Sequence, residues 1–375
     1  MKIQAEWMRG GTSKCWVFES AQLEELQASP DVLLPRLFGS PDHRQIDGVG
    51  GATSTTSKAM ILHRPQAGDV DVEFTFAQVG IEEAAVDWGS NCGNCSAVVG
   101  LYAIEKGWVV PRGDVTRIVT RNTNTGQIII QRIATPDAGL PAEPLAEMPG
   151  VPFPGHQVGL GFLDPAGKTT GRLLPSGAAT DALTVGGTTW NVSMVDAGAP
   201  VVIIRAEDLG LDPEAYESWF GGVELLLQTL ERIRRQAAVR MGLAATAGEA
   251  ARAIPKVAIV APPSSTDQGS DAGIMMLSMG KPHPALAITG SIALTLAART
   301  PGTVMHRFLG GFASPTLRLR TPAGVIETWS EERDGSLLVG VDRTARTIAS
   351  TTIHLPETLD IKAPKAGASL AGATR

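Results

Sequence analysis

A chain of 375 residues is long enough for two domains, or for two halves of one larger architecture. With 43% hydrophobic and 19% charged residues it can bury a full core, which excludes a disordered chain. A net charge of −6 argues against general nucleic-acid binding, which needs a basic surface to displace phosphate counterions. It leaves room for an anion pocket, whose local field outweighs the total charge. The three cysteines, Cys15, Cys92 and Cys95, are too few for a disulfide framework. Met1 to Glu6 is too polar for a signal peptide, and no apolar run is long enough to cross a bilayer. The expectation is a protein of a reducing cytoplasm with no membrane or nucleic-acid partner.

Forty-two glycines and 25 prolines predict many turns and short strands. The first polar turn, Arg9-Gly10-Gly11-Thr12-Ser13-Lys14, precedes the apolar Trp16-Val17-Phe18 and offers donors suited to a carboxylate. Asp47 to Lys58 follows, a run of glycines and hydroxyls that includes Ser54 and Ser57. It lacks the spacing of a nucleotide-binding loop, so an oxyanion or carboxylate cradle is the better reading. Lys58 ends that loop and leads into the apolar Ala59-Met60-Ile61-Leu62. Desolvation beside a core strand would lower its pKa and make it a usable base. Asp69 to Phe76 alternates as a half-buried strand, with Val70, Val72, Phe74 and Phe76 on one face.

The most informative stretch is Asp87-Trp88-Gly89-Ser90-Asn91-Cys92-Gly93-Asn94-Cys95, which opens a helix predicted over Asn94 to Lys106. A thiol followed by Gly-Asn at a helix start is set among unpaired N–H groups, which bind a carboxylate and favour the thiolate. Cys92 and Cys95 also match a thioredoxin-type pair, or half of a zinc site whose second half is missing. Cys95, one turn into the helix, reads as a buried small hydrophobe.

Further on, Ile128-Ile129-Ile130, Val201 to Ile204 and Lys256 to Val260 suit buried strands. Leu225 to Met241 carries an apolar helical stripe, and Ser291 to Ala298 reads as a short buried helix. Met279-Gly280-Lys281-Pro282-His283, followed by Thr289-Gly290-Ser291, is the last of four polar turns. Four such turns in a net-acidic chain point to a pocket for several anionic groups. Lys362 to Arg375 reads as a loose tail.

Two correspondences suggest a duplication. Gly11-Thr12-Ser13 before an apolar strand resembles Gly198-Ala199-Pro200, 187 residues later, and Cys92-Gly93 at a helix start resembles Thr289-Gly290, 197 residues later. They place the midpoint near residue 185, giving halves of 1–185 and 186–361.

These motifs resemble the PrpF family: Met8 to Lys14, Gly50 to Lys58, Asp87-Trp88 with Asn91 to Asn94, and Ser278 to Lys281 with His283. Lesser matches include Asn124-Thr125-Gly126, Arg240 to Leu243 and Pro255-Lys256-Val257, all in the family's order. The family includes 2-methylaconitate isomerases, methylitaconate and aconitate delta-isomerases, and 4-oxalomesaconate tautomerases. The resemblance implies an α+β, diaminopimelate-epimerase-like fold. That fold has two similar halves, each a curved sheet around a central helix, with the active site in the cleft between them. It implies a cofactor-independent isomerase that shifts a proton and a double bond in a small unsaturated di- or tricarboxylate. Lys58 and Cys92 would be the acid–base pair, with Lys58 favoured as base. Arg9, Gly11, Thr12, Ser13, Ser54, Ser57, Asn91, Gly93, Asn94, Lys281, His283, Thr289, Gly290 and Ser291 would hold the substrate. Epimerase relatives use one cysteine from each half. Thr289 stands where the second is expected, so a two-thiol racemase is disfavoured. Cys15 and Cys95 depart from the family's usual residues; neither touches the implied chemistry, and either could line the pocket and alter substrate choice. No metal or organic cofactor is called for, and a homodimer is compatible with the pattern. The rival readings are a thiol-disulfide oxidoreductase using Cys92 and Cys95, and a carboxylate-binding accessory protein without turnover.

Overall fold

The computed structural model describes residues 1–65, 68–89, 91–265, 267, 269–333 and 335–355; the tail at 362–375 lies outside them. The elements of the first half are β1 (Lys2–Gly10), β2 (Ser13–Glu19), α1 (Ser20–Glu25), α2 (Pro30–Phe38), β3 (Lys58–His63), β4 (Val72–Val79) and β5 (Val86–Asp87). They continue with α3 (Gly93–Glu105), β6 (Val115–Asn122), β7 (Ile128–Ala134), β8 (Ala146–Met148) and β9 (Val151–Leu163). After these come β10 (Asp181–Val185), β11 (Thr188–Ala197), β12 (Ala199–Arg205), α4 (Trp219–Arg240), β13 (Lys256–Ala261), β14 (Ala272–Ser278) and β15 (Lys281–Pro282). The chain closes with α5 (Ile288–Arg299), α6 (Val304–Phe308), β16 (Thr316–Thr321), β17 (Gly324–Arg333) and β18 (Ser336–His354).

The two halves repeat one pairing scheme. In the first, β1 pairs antiparallel with β2, β2 parallel with β3, β3 antiparallel with β4, β4 parallel with β6, and β6 antiparallel with β7. In the second, β11 pairs antiparallel with β12, β12 parallel with β13, β13 antiparallel with β14, β14 parallel with β16, and β16 antiparallel with β17. Each half opens on a hairpin turned by a glycine at positive φ, +51° at Gly11 and +68° at Gly198, where a side chain would be strained.

The halves are stitched together by long strands. β9 pairs with both β7 and β18, and β18 runs on from β17 past β9 to β1. The circuit β1, β2, β3, β4, β6, β7, β9, β18 therefore closes into a barrel. On the second side, Ala166, just beyond β9, bridges Ala197 at the end of β11.

Strand alternation sorts the core. Met60 and Leu62 of β3 face inward onto α3, while Ala59 and Ile61 face outward onto α1 and α2. In β13, Ala258 and Val260 face inward, while Val257 and Ile259 face α4. α3 and α5 are buried on every side from Gly93 to Ile104 and from Ile288 to Ala298, as helices enclosed by sheet must be. The helix predicted at Leu225 starts earlier, at Trp219, because Trp219 and Val223 extend the stripe that covers the second sheet. The strand predicted from Asp69 begins at Val72, because Asp71 instead turns to accept a hydrogen bond from the Val119 N–H at 2.7 Å.

Candidate active site

α3 and α5 begin against one another. A Cβ added at Gly93 would lie 2.6 Å from Cβ of Ile288, so only glycine allows the two N-termini to approach this closely. Both helices thus direct unpaired N–H groups and positive dipole ends at one cleft. Its lining includes Ser13, Ser54, Thr55, Lys58, Gln78, Asn91, Cys92, Gly93 and Asn94 from the first half. Lys256, Ser278, Met279, His283 and Thr289 line it from the second. Among the described lining residues there is no Asp or Glu, although the chain as a whole carries a net charge of −6.

Lys58 opens β3, so the same alternation that buries Met60 and Leu62 points Lys58 into the barrel mouth; it is only 8% exposed. Gln78 stands opposite in register. Its Oε1 accepts from Nζ of Lys58, and its Nε2 donates to the Ser57 carbonyl at 2.9 Å, which fixes the amide's orientation. The Phe76 ring lies below, with its centroid 5.0 Å from Nζ. Phe74, Phe76 and Gln78 share one face of β4, a period that extends the alternation read from the sequence to a polar residue it had not singled out.

Cys92 is the N-cap residue of α3. Its pKa lies well above the ordinary thiol value, through a hydrogen bond with Cys95 and through burial, while the Lys58 charge pulls the other way. The helix start is expected to favour the thiolate; the bond to Cys95 and desolvation instead outweigh the Lys58 charge, and Cys92 rests as an S–H donor. Cys95 hydrogen-bonds on to Cys15, and both are fully buried in the core. Neither lines the cleft, because each points to the helix–sheet interior, where the sequence reading places Cys95.

His283 accepts from the Ala285 N–H at Nδ1, 3.0 Å away. Its pKa is pushed down to about 4, first by burial and then by the charges of Lys256 and Lys58. The ring is therefore neutral at pH 7 and carries its proton on Nε2, a donor. Asn91 accepts from Ser96 at Oδ1, 3.2 Å, while its buried Nδ2 has no partner among the described residues.

Of the residues expected to hold substrate, Ser13, Ser54, Asn91, Gly93, Asn94, His283 and Thr289 come together with Lys58 and Cys92 in the cleft lining. The others do not line it. Arg9 is buried, and its guanidinium is spent on the carbonyl and hydroxyl of Thr344, both at 2.9 Å. Gly11 and Thr12 act as scaffold: the Thr12 N–H donates to Asn94 Oδ1 at 3.4 Å, and Asn94 Nδ2 donates to Thr12 Oγ1 at 3.3 Å. Ser57 donates to Gln45 Oε1 at 2.7 Å. Lys281 is exposed on β15. Gly290 packs on Met276, and the Ser291 hydroxyl donates back to the Ile288 carbonyl at 2.8 Å. Thr55, Gln78, Lys256, Ser278 and Met279 also line the cleft, although the sequence reading does not assign them to the site. Lys256 is 6% exposed, and burial followed by the nearby Lys58 charge pushes its pKa down to about 8.

Paired sheet-wrapped helices with facing N-termini define the α+β, diaminopimelate-epimerase-like fold. A hydroxyproline epimerase from Agrobacterium vitis shares this fold at 12% identity and a TM-score of 0.57, over 94% of this chain and 92% of that one. The crystal structure of a methylitaconate-delta-isomerase is more similar, at 34% identity and a TM-score of 0.77, over 94% and 95% of the two chains. A 2-methyl-aconitate isomerase from Shewanella oneidensis is 35% identical over 387 residues, covering 95% of this chain and 98% of that protein. The sequence model of the PrpF protein matches residues 1–356. The chain belongs to the PrpF family.

Proposed function

We propose that the protein is an isomerase that shifts a proton and a C=C bond within a small unsaturated di- or tricarboxylate. The carrying observation is the cleft itself: two lysines, a donor imidazole and two helix N-termini converge with no acidic side chain in the described lining. Such a site suits a molecule with several carboxylates, and it stabilises charge that spreads through a conjugated system. Lys58, as the free amine, removes the allylic proton beside one carboxylate and becomes an ammonium. The electron pair moves into an extended dienolate. The Cys92 thiol then gives its proton to the far carbon of the allyl system, completing the 1,3 shift, or returns it after rotation for a net cis–trans change. Proton transfer from the Lys58 ammonium to the Cys92 thiolate resets the pair. The elevated Cys92 pKa supports the acid role over the base role. No metal or organic cofactor takes part in this scheme. Purified protein incubated separately with 2-methylaconitate, aconitate, methylitaconate and 4-oxalomesaconate, followed by proton NMR, tests the reading. One acid should isomerise in a Lys58-dependent way; conversion of none, by folded protein, would reject it.

A further inference from the structure

The proposed proton transfer draws on Lys58 and Cys92, both from the first half, and leaves Lys256, a buried cation of the cleft, without an assigned position on the substrate. Lys256 opens β13 as Lys58 opens β3, and each strand runs parallel to the second hairpin strand of its half. Alternation with Ala258 and Val260 points Lys256 inward, just as Met60 and Leu62 do for Lys58. The two lysines are therefore counterparts that enter one cleft from opposite halves.

Their neighbours differ. Lys58 has Gln78 opposite it, long enough to accept from Nζ. In the second half Val257 pairs with Leu277, so the place of Gln78 falls to Ser278. Among the described residues Lys256 makes one hydrogen bond, to the Ala253 carbonyl at 3.3 Å. A buried ammonium has three donors and is costly to leave unmet. Asn91 lines the same cleft, and its Nδ2 has no partner among the described residues.

We propose that Lys256, together with Asn91, forms a carboxylate subsite that holds one end of the substrate opposite the Lys58–Cys92 pair and carries part of the dienolate charge. The assignment rests on the polycarboxylate reading. Lys256 touches the substrate but not the migrating proton.

Lys58 of β3, Asp87 of β5 and Cys92 at the start of α3 act on the Lys256 charge, and Lys256 in turn acts on His283 before α5. Glu231 and Arg234 of α4, paired with each other, and Arg252 line the crevice on its other side. With the ammonium titrating near pH 8, a bound carboxylate favours the charged form, so binding weakens as pH rises through that value.

Propane-1,2,3-tricarboxylate has no double bond to shift and serves as the probe, with Kd measured by calorimetry from pH 6.5 to 9.5. Wild type should hold a steady Kd to about pH 8 and weaken roughly tenfold per pH unit above it. Lys256→Met should bind about 100-fold more weakly at pH 7, with no break near pH 8 and no loss of melting temperature. Lys256→Gln, which keeps donors without charge, should fall between them, and it decides by the same measure if the Met variant does not fold. A variant that binds within threefold of wild type, or keeps the break near pH 8, overturns the subsite while wild-type isomerisation stands. A wild type that neither binds the probe nor isomerises any acid of the panel overturns the polycarboxylate reading, and the subsite with it.

Discussion

Replacing Lys256 with Met should stabilise the protein at pH 7, although it damages the cleft. The drop in pKa from the ordinary 10.5 to about 8 records how strongly the folded state disfavours the charged amine. At about 1.4 kcal/mol per pH unit, that is about 3 kcal/mol. The sign follows from proton counting. Between pH 8 and 10.5 the unfolded chain keeps the lysine proton that the folded chain has lost, so this group's contribution to stability rises with pH in that window. Below pH 8 both states are protonated and the folded state bears the full cost. Met fills a similar volume without charge. The variant should therefore exceed wild type by up to about 3 kcal/mol at pH 7, and its advantage should shrink by about that amount by pH 10.5. Urea denaturation of both proteins across pH 7 to 10.5 reads this difference directly, and subtraction removes the titrations they share. A constant difference across the window, or a variant less stable than wild type at pH 7, would show that Lys256 is not held as a desolvated cation.

Other consequences are open to quick tests. Cys95→Ser should keep most isomerase activity, since Cys95 faces the core rather than the cleft; abolished activity in a folded variant would favour a paired-thiol mechanism. Gly93→Ala should cost about 2 kcal/mol of stability and most of the activity, because the new methyl meets Ile288 at 2.6 Å and forces the helix starts apart; an unchanged melting temperature would count against the tight junction. Activity should survive dialysis against a strong chelator, since no group of three or more His, Cys, Asp and Glu among the described residues is placed to hold a metal; loss restored by added metal would contradict the scheme.

Much of this site was legible in the sequence because its parts sit at element boundaries. Gly11 and Gly198 mark hairpin turns, and Cys92 marks a helix start, so turn and cap chemistry exposes them. Lys58 was visible as a lysine leading into an apolar run. The same signal recurs at Lys256-Val257-Ala258-Ile259-Val260, 198 residues on, close to the 197 that separate the two helix starts. That repeat was enough to find Lys256, but a strand-opening lysine looks like a solvated one until its register is known. Gln78 needed the strand to continue past Phe76. Arg9 misled because a guanidinium in a glycine turn reads as an anion ligand, and only the return of β18 reveals Thr344 as its partner. The closure of the barrel by β9 and β18 is set by pairings far apart in sequence, which no local pattern records.

The central claim is that Lys58 takes the proton and Cys92 returns one. Cys92→Ser in deuterated water tests it most directly, with the substrate followed by proton NMR. The account predicts deuterium exchange at the donor carbon of unconverted substrate with little product, because Lys58 continues to remove and replace that proton while the far carbon lacks its acid. Exchange that vanishes along with turnover in a folded Cys92→Ser protein, or persists in Lys58→Ala, would contradict it.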